Sequence, residues 1–202
     1  MIRTRKATRK DVDSIVRIHL DAYKTFFLSS LGDKFLSLYY DTFIKSDRGV
    51  VFCAEKDDEM VGFAACSYVC RGFNSYLIMS NFFRYAAEAL RLLFVQPKSI
   101  IRLAKNLSKE SDEASIKDDG LYAEFFSLAV CPSCQREGVG RILVKSIEED
   151  VKEHNNRISF TTDYYDNDKT LAFHHAMGYR DYYDFVTYPS RRMWRLIKEI
   201  KK

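Results

Sequence analysis

Leu121-Tyr-Ala-Glu-Phe-Phe-Ser-Leu-Ala-Val130, Cys131-Pro-Ser-Cys134, Gln135-Arg-Glu-Gly-Val-Gly140 and the following Arg141 to Val151 decide how this chain folds. The first segment is an apolar run with aromatics and a β-branched end, as in a strand buried on both faces. In the last, Val139, Ile142, Leu143, Ile147 and Val151 fall on one helical face. Gly138 and Gly140 remove side chains where that helix begins. Free backbone N–H groups and the positive end of the helix dipole then face outward, an arrangement suited to a diphosphate. A glycine-containing turn that binds nothing has the same short pattern, so the loop alone does not decide between the two.

Two familiar phosphate loops fail here. A P-loop needs G-x-x-x-x-G-K-[ST], and these glycines are followed directly by Val139 and Arg141 rather than by Lys. The dinucleotide fingerprint needs three glycines and an acidic residue after the next strand. What stands at 135–140 is Gln-x-x-Gly-x-Gly.

Working outward, Ile2 to Lys6 reads as a first strand. Thr8 and Asp11 form a capping box for a helix whose face carries Val12, Ile15, Val16 and His19. Ser30 and Asp33 repeat the capping pattern before Phe35, Leu36, Tyr39 and Phe43. Val50–Ala54 and Met60–Val69 are strands of a hairpin around the acidic turn Glu55 to Glu59. Beyond the central motif, Arg157–Thr162 is a fifth strand. Asn167 caps a helix to Met177 that Gly178 ends, and Asp181–Tyr188 pairs with Arg191–Ile197.

At 202 residues the chain is one domain with one sizeable core. A net charge of +4 is too mild to argue for nucleic acid. No run approaches the roughly 20 apolar residues of a membrane span, and Met1 to Lys6 starts no signal peptide. These features point to the cytoplasm. The cysteines at 53, 66, 70, 131 and 134 are odd in number. Cys131-x-x-Cys134 is half of a zinc ribbon with no second half, so no metal is expected; reduced loop thiols or a redox pair are the alternatives.

The loop resembles the acetyl-CoA loop of the GNAT superfamily of N-acetyltransferases. Ala123 to Gly140 is similar, without a gap, to the histone-acetyltransferase branch, in which a strand glutamate lies upstream of the loop; here that position is Glu124. A second signature, Asn167-x-x-Thr-x-x-Phe173-His174-x-x-x-Gly178-Tyr179, resembles the family's Asn-x-x-Ala-x-x-(apolar)-Tyr-x-x-x-Gly-Phe. The resemblance spans the chain outside 71–119. It implies an α/β fold with a mixed sheet and helices on both faces, and it leaves residues 71–119 as a helical insertion between the third and fourth strands.

The resemblance also implies acetyl-CoA as co-substrate and a primary amine as acceptor, attacked directly in a ternary complex. The backbone of Leu128, Ala129 and Val130 would take the pantetheine arm and polarise the thioester carbonyl. Backbone groups of Gln135, Arg136, Glu137, Gly138, Val139, Gly140 and Arg141 would take the pyrophosphate, with Asn167 and Phe173 completing the cofactor set. Glu124 in an apolar strand is the expected base, since burial strengthens a carboxylate as a base. The other reading points it to solvent or to an arginine. His174 replaces the family's thiolate-protonating tyrosine. An imidazolium could serve as the acid, with His175, Tyr164, Tyr165 or water as substitutes, or His174 could merely pack.

Residues 71–119 are distinctive. Phe82, Phe83, Ala86, Leu90, Leu93 and Phe94 form one amphipathic stripe, and Ile100, Leu103, Ala104 and Leu107 another. From Arg71 to Lys109 seven basic residues face one acidic residue, Glu88. The segment reads as a helical hairpin serving as a lid, an anionic-membrane contact or a solvated face. With the aromatic connection at Tyr23, Phe26 and Phe27, it leans toward a small acceptor carrying negative charge, with a protein lysine as the alternative. Oligomeric state is not readable. The rivals are a non-catalytic acyl-CoA sensor and a membrane-surface module built on the insertion.

Overall fold

The computed structural model describes residues 1–24, 26–99, 118–165, 167–187 and 190–201. In chain order they form β1 (Ile2–Lys6), α1 (Val12–Ala22), α2 (Asp33–Lys45), β2 (Gly49–Lys56), β3 (Glu59–Ser67), α3 (Phe73–Ser80), α4 (Phe82–Val95) and β4 (Ala123–Val130). These are followed by α5 (Val139–Val151), β5 (Arg157–Asp163), α6 (Asp168–Ala176), β6 (Arg180–Thr187) and β7 (Arg191–Glu199). The strands make one seven-stranded sheet in the order β1-β2-β3-β4-β5-β7-β6. Neighbours are antiparallel except β4 and β5, which are parallel. The α/β mixed sheet expected from the sequence is therefore present.

Each face of the sheet holds a core, because strand side chains alternate. On one face Ile15, Ile18, Leu36, Tyr40 and Phe43 from α1 and α2 pack on Phe63 of β3. On the other, Leu143, Val144, Ile147 and Val151 of α5 pack on Ile158 and Leu196. The β2–β3 hairpin turns on Asp57 and Asp58, both at positive φ (53° and 63°). Two such central residues match the right-handed twist of the strands.

One local expectation is corrected. Ser30 does not cap α2: its hydroxyl donates to the Phe27 carbonyl at 2.6 Å, and Gly32 at φ 86° turns the chain into the helix. Helix α3 has eight residues and mixes Asn74, Ser75 and Ser80 among its apolar side chains, so it shows no apolar stripe in the sequence.

The insertion leaves and rejoins the sheet through a tied neck, Cys70 N–H to Tyr122 O at 2.8 Å and Arg71 N–H to Gly120 O at 3.0 Å. Phe73 and Leu77 of α3 and Tyr85 and Leu92 of α4 are buried in the α1–α2 core. Buried Asp41 of α2 accepts from Arg9 at 2.9 Å, Lys45 at 2.8 Å and Arg84 of α4 at 2.7 Å. The described half of the insertion is thus part of the core rather than a detached lid. The second stripe, Ile100 to Leu107, and the basic residues 102, 105 and 109 lie outside the described residues.

Candidate functional site

The two parallel strands separate almost as soon as they meet. Only Ala123↔Ile158 and Glu124↔Ser159 pair β4 with β5, so β4 from Phe125 onward presents a backbone edge that β5 does not take. On its other side β4 carries a bulge: Ala65 faces Ser127 while Cys66 faces Phe125, leaving Phe126 extra. The bulge turns Phe126 and Ser127 to the same face. Phe126 meets the rings of Phe43 and Phe73, and Ser127 Oγ lies 2.9 Å from Tyr40 Oη.

Backbone polar groups alternate sides along a strand. The Cys131 N–H goes to Val61 of β3, so the groups of Leu128, three residues earlier, face the opened side. There the Tyr23 hydroxyl meets both: it accepts from Leu128 N–H at 3.1 Å and donates to Leu128 O at 2.5 Å.

Helix α5 starts at the far end of the same opening. Gly138 at φ 87° makes the turn, with no side-chain cap and no acidic residue in the first turn. Its first intrahelical bond runs from Ile142 N–H to Gly138 O at 3.1 Å, so the N–H groups of Val139, Gly140 and Arg141 have no acceptor one turn back. A Cβ on Gly140 would lie 3.6 Å from the Phe173 ring and 4.0 Å from Val130. The structure therefore brings Val130, Gly140 and Phe173 together. Gln135 donates to Val130 O at 3.3 Å, and Arg136 takes a left-handed φ of 67°. Glu137 is drawn off by Lys56 at 2.7 Å. Asn167 precedes α6, but its amide donates to the Thr162 hydroxyl rather than capping the helix. These uncapped donors beside an open strand edge fit a diphosphate carried on a pantetheine arm.

Glu124 has the arginine partner that the sequence left as the alternative reading. Its Oε1 is 3.2 Å from Arg195 Nη1 of β7 and accepts from Thr161 Oγ1 at 2.8 Å. Its Oε2 accepts from Cys70 Sγ at 2.5 Å. Arg195 also donates to the Tyr122 hydroxyl, and Tyr122 and Tyr183 both donate to Asp118. Burial and the neighbouring Glu124 carboxylate push the Cys70 thiol well above its usual range, so it stays protonated.

His174 lies on the opposite face, 3% exposed, with its ring 3.9 Å from Phe160, itself stacked on Phe125. Burial, and then His175, lower its pKa to about 4. It is a neutral imidazole at pH 7, so the fold does not stabilise the imidazolium expected of a thiolate donor. Of the named substitutes, His175 pairs with Asp181 at 2.8 Å. The Tyr164 ring packs on Trp194 and beneath Arg192, and Tyr165 is exposed.

The aromatic connection does reach the opening. Tyr23 lies on it, Phe26 packs on Tyr23 and beneath the Arg191 guanidinium (4.6 Å), and Phe27 packs against the α1–α2 core. Arg191 is bidentate to Asp163 at the end of β5. The insertion's Arg84 and Arg91 are bound to Asp41 and Glu88. These two cations therefore lend no support to an anionic acceptor or membrane. Sequence reasoning missed Arg195 and the buried chain His19–Tyr40–Ser127, joined at 2.7 and 2.9 Å. Arg195 has a signal in hindsight, as a charge within an apolar stretch of the last strand.

A mixed sheet that splits between its two parallel neighbours, beside a helix begun on glycine, is the arrangement that the resemblance to acyl-CoA-dependent acyltransferases implies. The profile of the acetyltransferase (GNAT) family matches residues 13–179, and the chain belongs to that family. Solved structures share the fold at low identity. The ribosomal-protein-S18-alanine N-acetyltransferase of Escherichia coli is 13% identical, with a TM-score of 0.61 over 100% of this chain and 96% of that one. An N-acetyltransferase from Staphylococcus aureus Mu50 is 12% identical, with a TM-score of 0.65 over 100% and 99%. The YncA protein of Salmonella typhimurium, solved with its cofactor acetyl-CoA, is 13% identical, with a TM-score of 0.60 over 100% and 95%. No curated protein sequence matches the chain significantly. Among the described residues no helix is long and apolar enough to cross a membrane.

Proposed function

We propose that this protein transfers the acetyl group of acetyl-CoA to a primary amine by direct attack within a ternary complex. The separation of β4 from β5 beyond Glu124 and Ser159 carries this reading, because it opens the Leu128 backbone beside the uncapped start of α5. The N–H groups of residues 139 to 141 bind the diphosphate, with Arg136 and Arg141 exposed beside them. The β4 backbone at 128–130 holds the pantetheine arm. Acetyl-CoA supplies an activated acyl carbon. Glu124 receives the proton of the attacking amine, directly or through water, and Arg195 fixes the direction of its carboxylate. His174 packs against Phe160, Phe173 and Tyr179 in the core on the α5 side of the sheet.

The acceptor enters along Tyr23 and Phe26, and we assign it first to small-molecule amines and second to protein amines. We place the protein in the cytoplasm, in keeping with its five free cysteines. The test is release of CoA from acetyl-CoA against spermidine, glucosamine, free amino acids, a lysine peptide and an alanine-terminated peptide, with buffer-only hydrolysis as the control. The last probe is included because the Escherichia coli neighbour is a ribosomal-protein-S18-alanine N-acetyltransferase. At least one amine should raise release well above the control. The core position of His174 favours one second reading, an acyl-CoA sensor without turnover. Binding of acetyl-CoA with no release on any amine would establish the sensor.

A further inference from the structure

The side chain nearest the opened edge of β4 is not one of the two expected to carry protons. Glu124 is engaged by three donors, and His174 lies on the other face of the sheet. The Tyr23 hydroxyl instead stands on the opened edge, bonded to both polar groups of Leu128. Its ring is held by His19 (4.9 Å between ring centres) and Phe26 (5.1 Å), and Phe26 in turn lies under Arg191. The phenol is therefore aimed, not loosely placed.

Resting on the acyltransferase reading above, we propose that Tyr23 is a catalytic residue whose hydroxyl, together with Leu128 N–H, holds the thioester carbonyl oxygen. An oxyanion site needs two donors converging about 2.7–3.1 Å from the oxygen. The phenol oxygen is already 3.1 Å from Leu128 N, so it marks the ground on which that N–H can bind. When the thioester arrives, its carbonyl oxygen takes the phenol's place on Leu128 N–H; the phenol oxygen gives up both Leu128 bonds, draws back by about one hydrogen-bond length and donates to that carbonyl.

The amine lone pair then forms the N–C bond, and the C=O π pair moves onto the oxygen held by Tyr23 and Leu128. Re-forming the C=O bond expels CoA as a thiolate. The amine proton passes to Glu124, and the thiolate takes one from solvent, leaving amide and free CoA. Tyr23 keeps its proton throughout. Burial raises its pKa to about 12, against a smaller lowering by the Leu128 bond, which keeps it a donor at working pH.

The experiment uses Tyr23→Phe, which removes one oxygen and leaves the ring packing, and reads the carbonyl stretch of bound [1-13C]acetyl-CoA by infrared difference spectroscopy. Loss of a donor should move the stretch to higher frequency than in the unsubstituted protein. With the fastest amine of the panel, kcat should fall about 10²–10³-fold, uniformly from pH 6 to 9. An unchanged stretch, or tighter acetyl-CoA binding with undiminished kcat, would mean that Tyr23 only plugs the edge and would overturn the inference. Failure of the unsubstituted protein to bind acetyl-CoA would overturn the acyltransferase reading itself, and the Tyr23 inference with it.

Discussion

Arg195 Nη1 of the last strand stands 3.2 Å from Glu124 Oε1 at the point where β4 and β5 part, and each residue is 8% exposed. A buried charge that loses its partner costs about 3–5 kcal/mol, whereas removing both charges is often neutral. Glu124 is thus both a proton acceptor in the proposed reaction and half of a buried pair.

The two roles separate experimentally. Glu124→Gln should lower kcat by about 10²–10⁴ and also reduce stability in urea. Adding Arg195→Met should restore most of the lost stability and none of the activity. Activity that returns with stability would make Glu124 a structural residue only.

The buried histidines give a pH dependence with a definite sign. Burial holds His19 and His174 at about 4 in the folded chain, against about 6.5 when unfolded. Between those values the unfolded chain binds more protons. Stability is therefore full above pH 6.5 and is lost as pH falls toward 4, by up to roughly 3 kcal/mol for each histidine. Urea midpoints between pH 7.5 and 4.5 should follow that slope. His174→Phe, which keeps an aromatic ring against Phe160, should remove about half of it and leave kcat within about threefold of the parent. A large kcat loss with a changed pH profile would return His174 to the mechanism.

The insertion is tied to the body through Asp41, whose carboxyl is held down to about 2: its burial acts against the lowering by Lys45, Arg84 and Arg9. Arg84→Glu would set a like charge beside it. Because Arg84 is half exposed, and Arg9 and Lys45 still pair with Asp41, solvent screening limits the loss to about 1 kcal/mol. Urea unfolding should show that loss while the acceptor KM stays near its original value. A raised KM with unchanged stability would instead make Arg84 an acceptor contact.

Much of this was legible in the residues because it is local. The strand from Ala123 to Val130, Gly138 at the helix start and Gly178 at the end of α6 each follow from neighbouring residues. The Thr8–Asp11 box is equally short-range, with Asp11 accepting Thr8 N–H at 2.7 Å. What escaped depends on residues far apart in the chain. Arg195 reaches Glu124 only because β7 lies beside β5, and Tyr23 meets Leu128 only once α1 crosses the sheet. Periodicity says which face of an element is apolar, but not which residue from another element will arrive there. The same limit hid the burial of His174, whose motif position suggested an acid while its surroundings removed the proton.

The central claim is that the opening between β4 and β5, with the start of α5, binds acetyl-CoA. Gly140 tests it cleanly. It is not at a left-handed φ, and a Cβ there meets Phe173 only at ordinary contact distance. An aspartate in the first turn also favours the helix, so Gly140→Asp should fold at least as well as the parent while placing negative charge against the diphosphate. The measurement is titration calorimetry of acetyl-CoA into both proteins. The account predicts binding to the parent and none measurable to a folded Gly140→Asp; equal affinity in the two would contradict it.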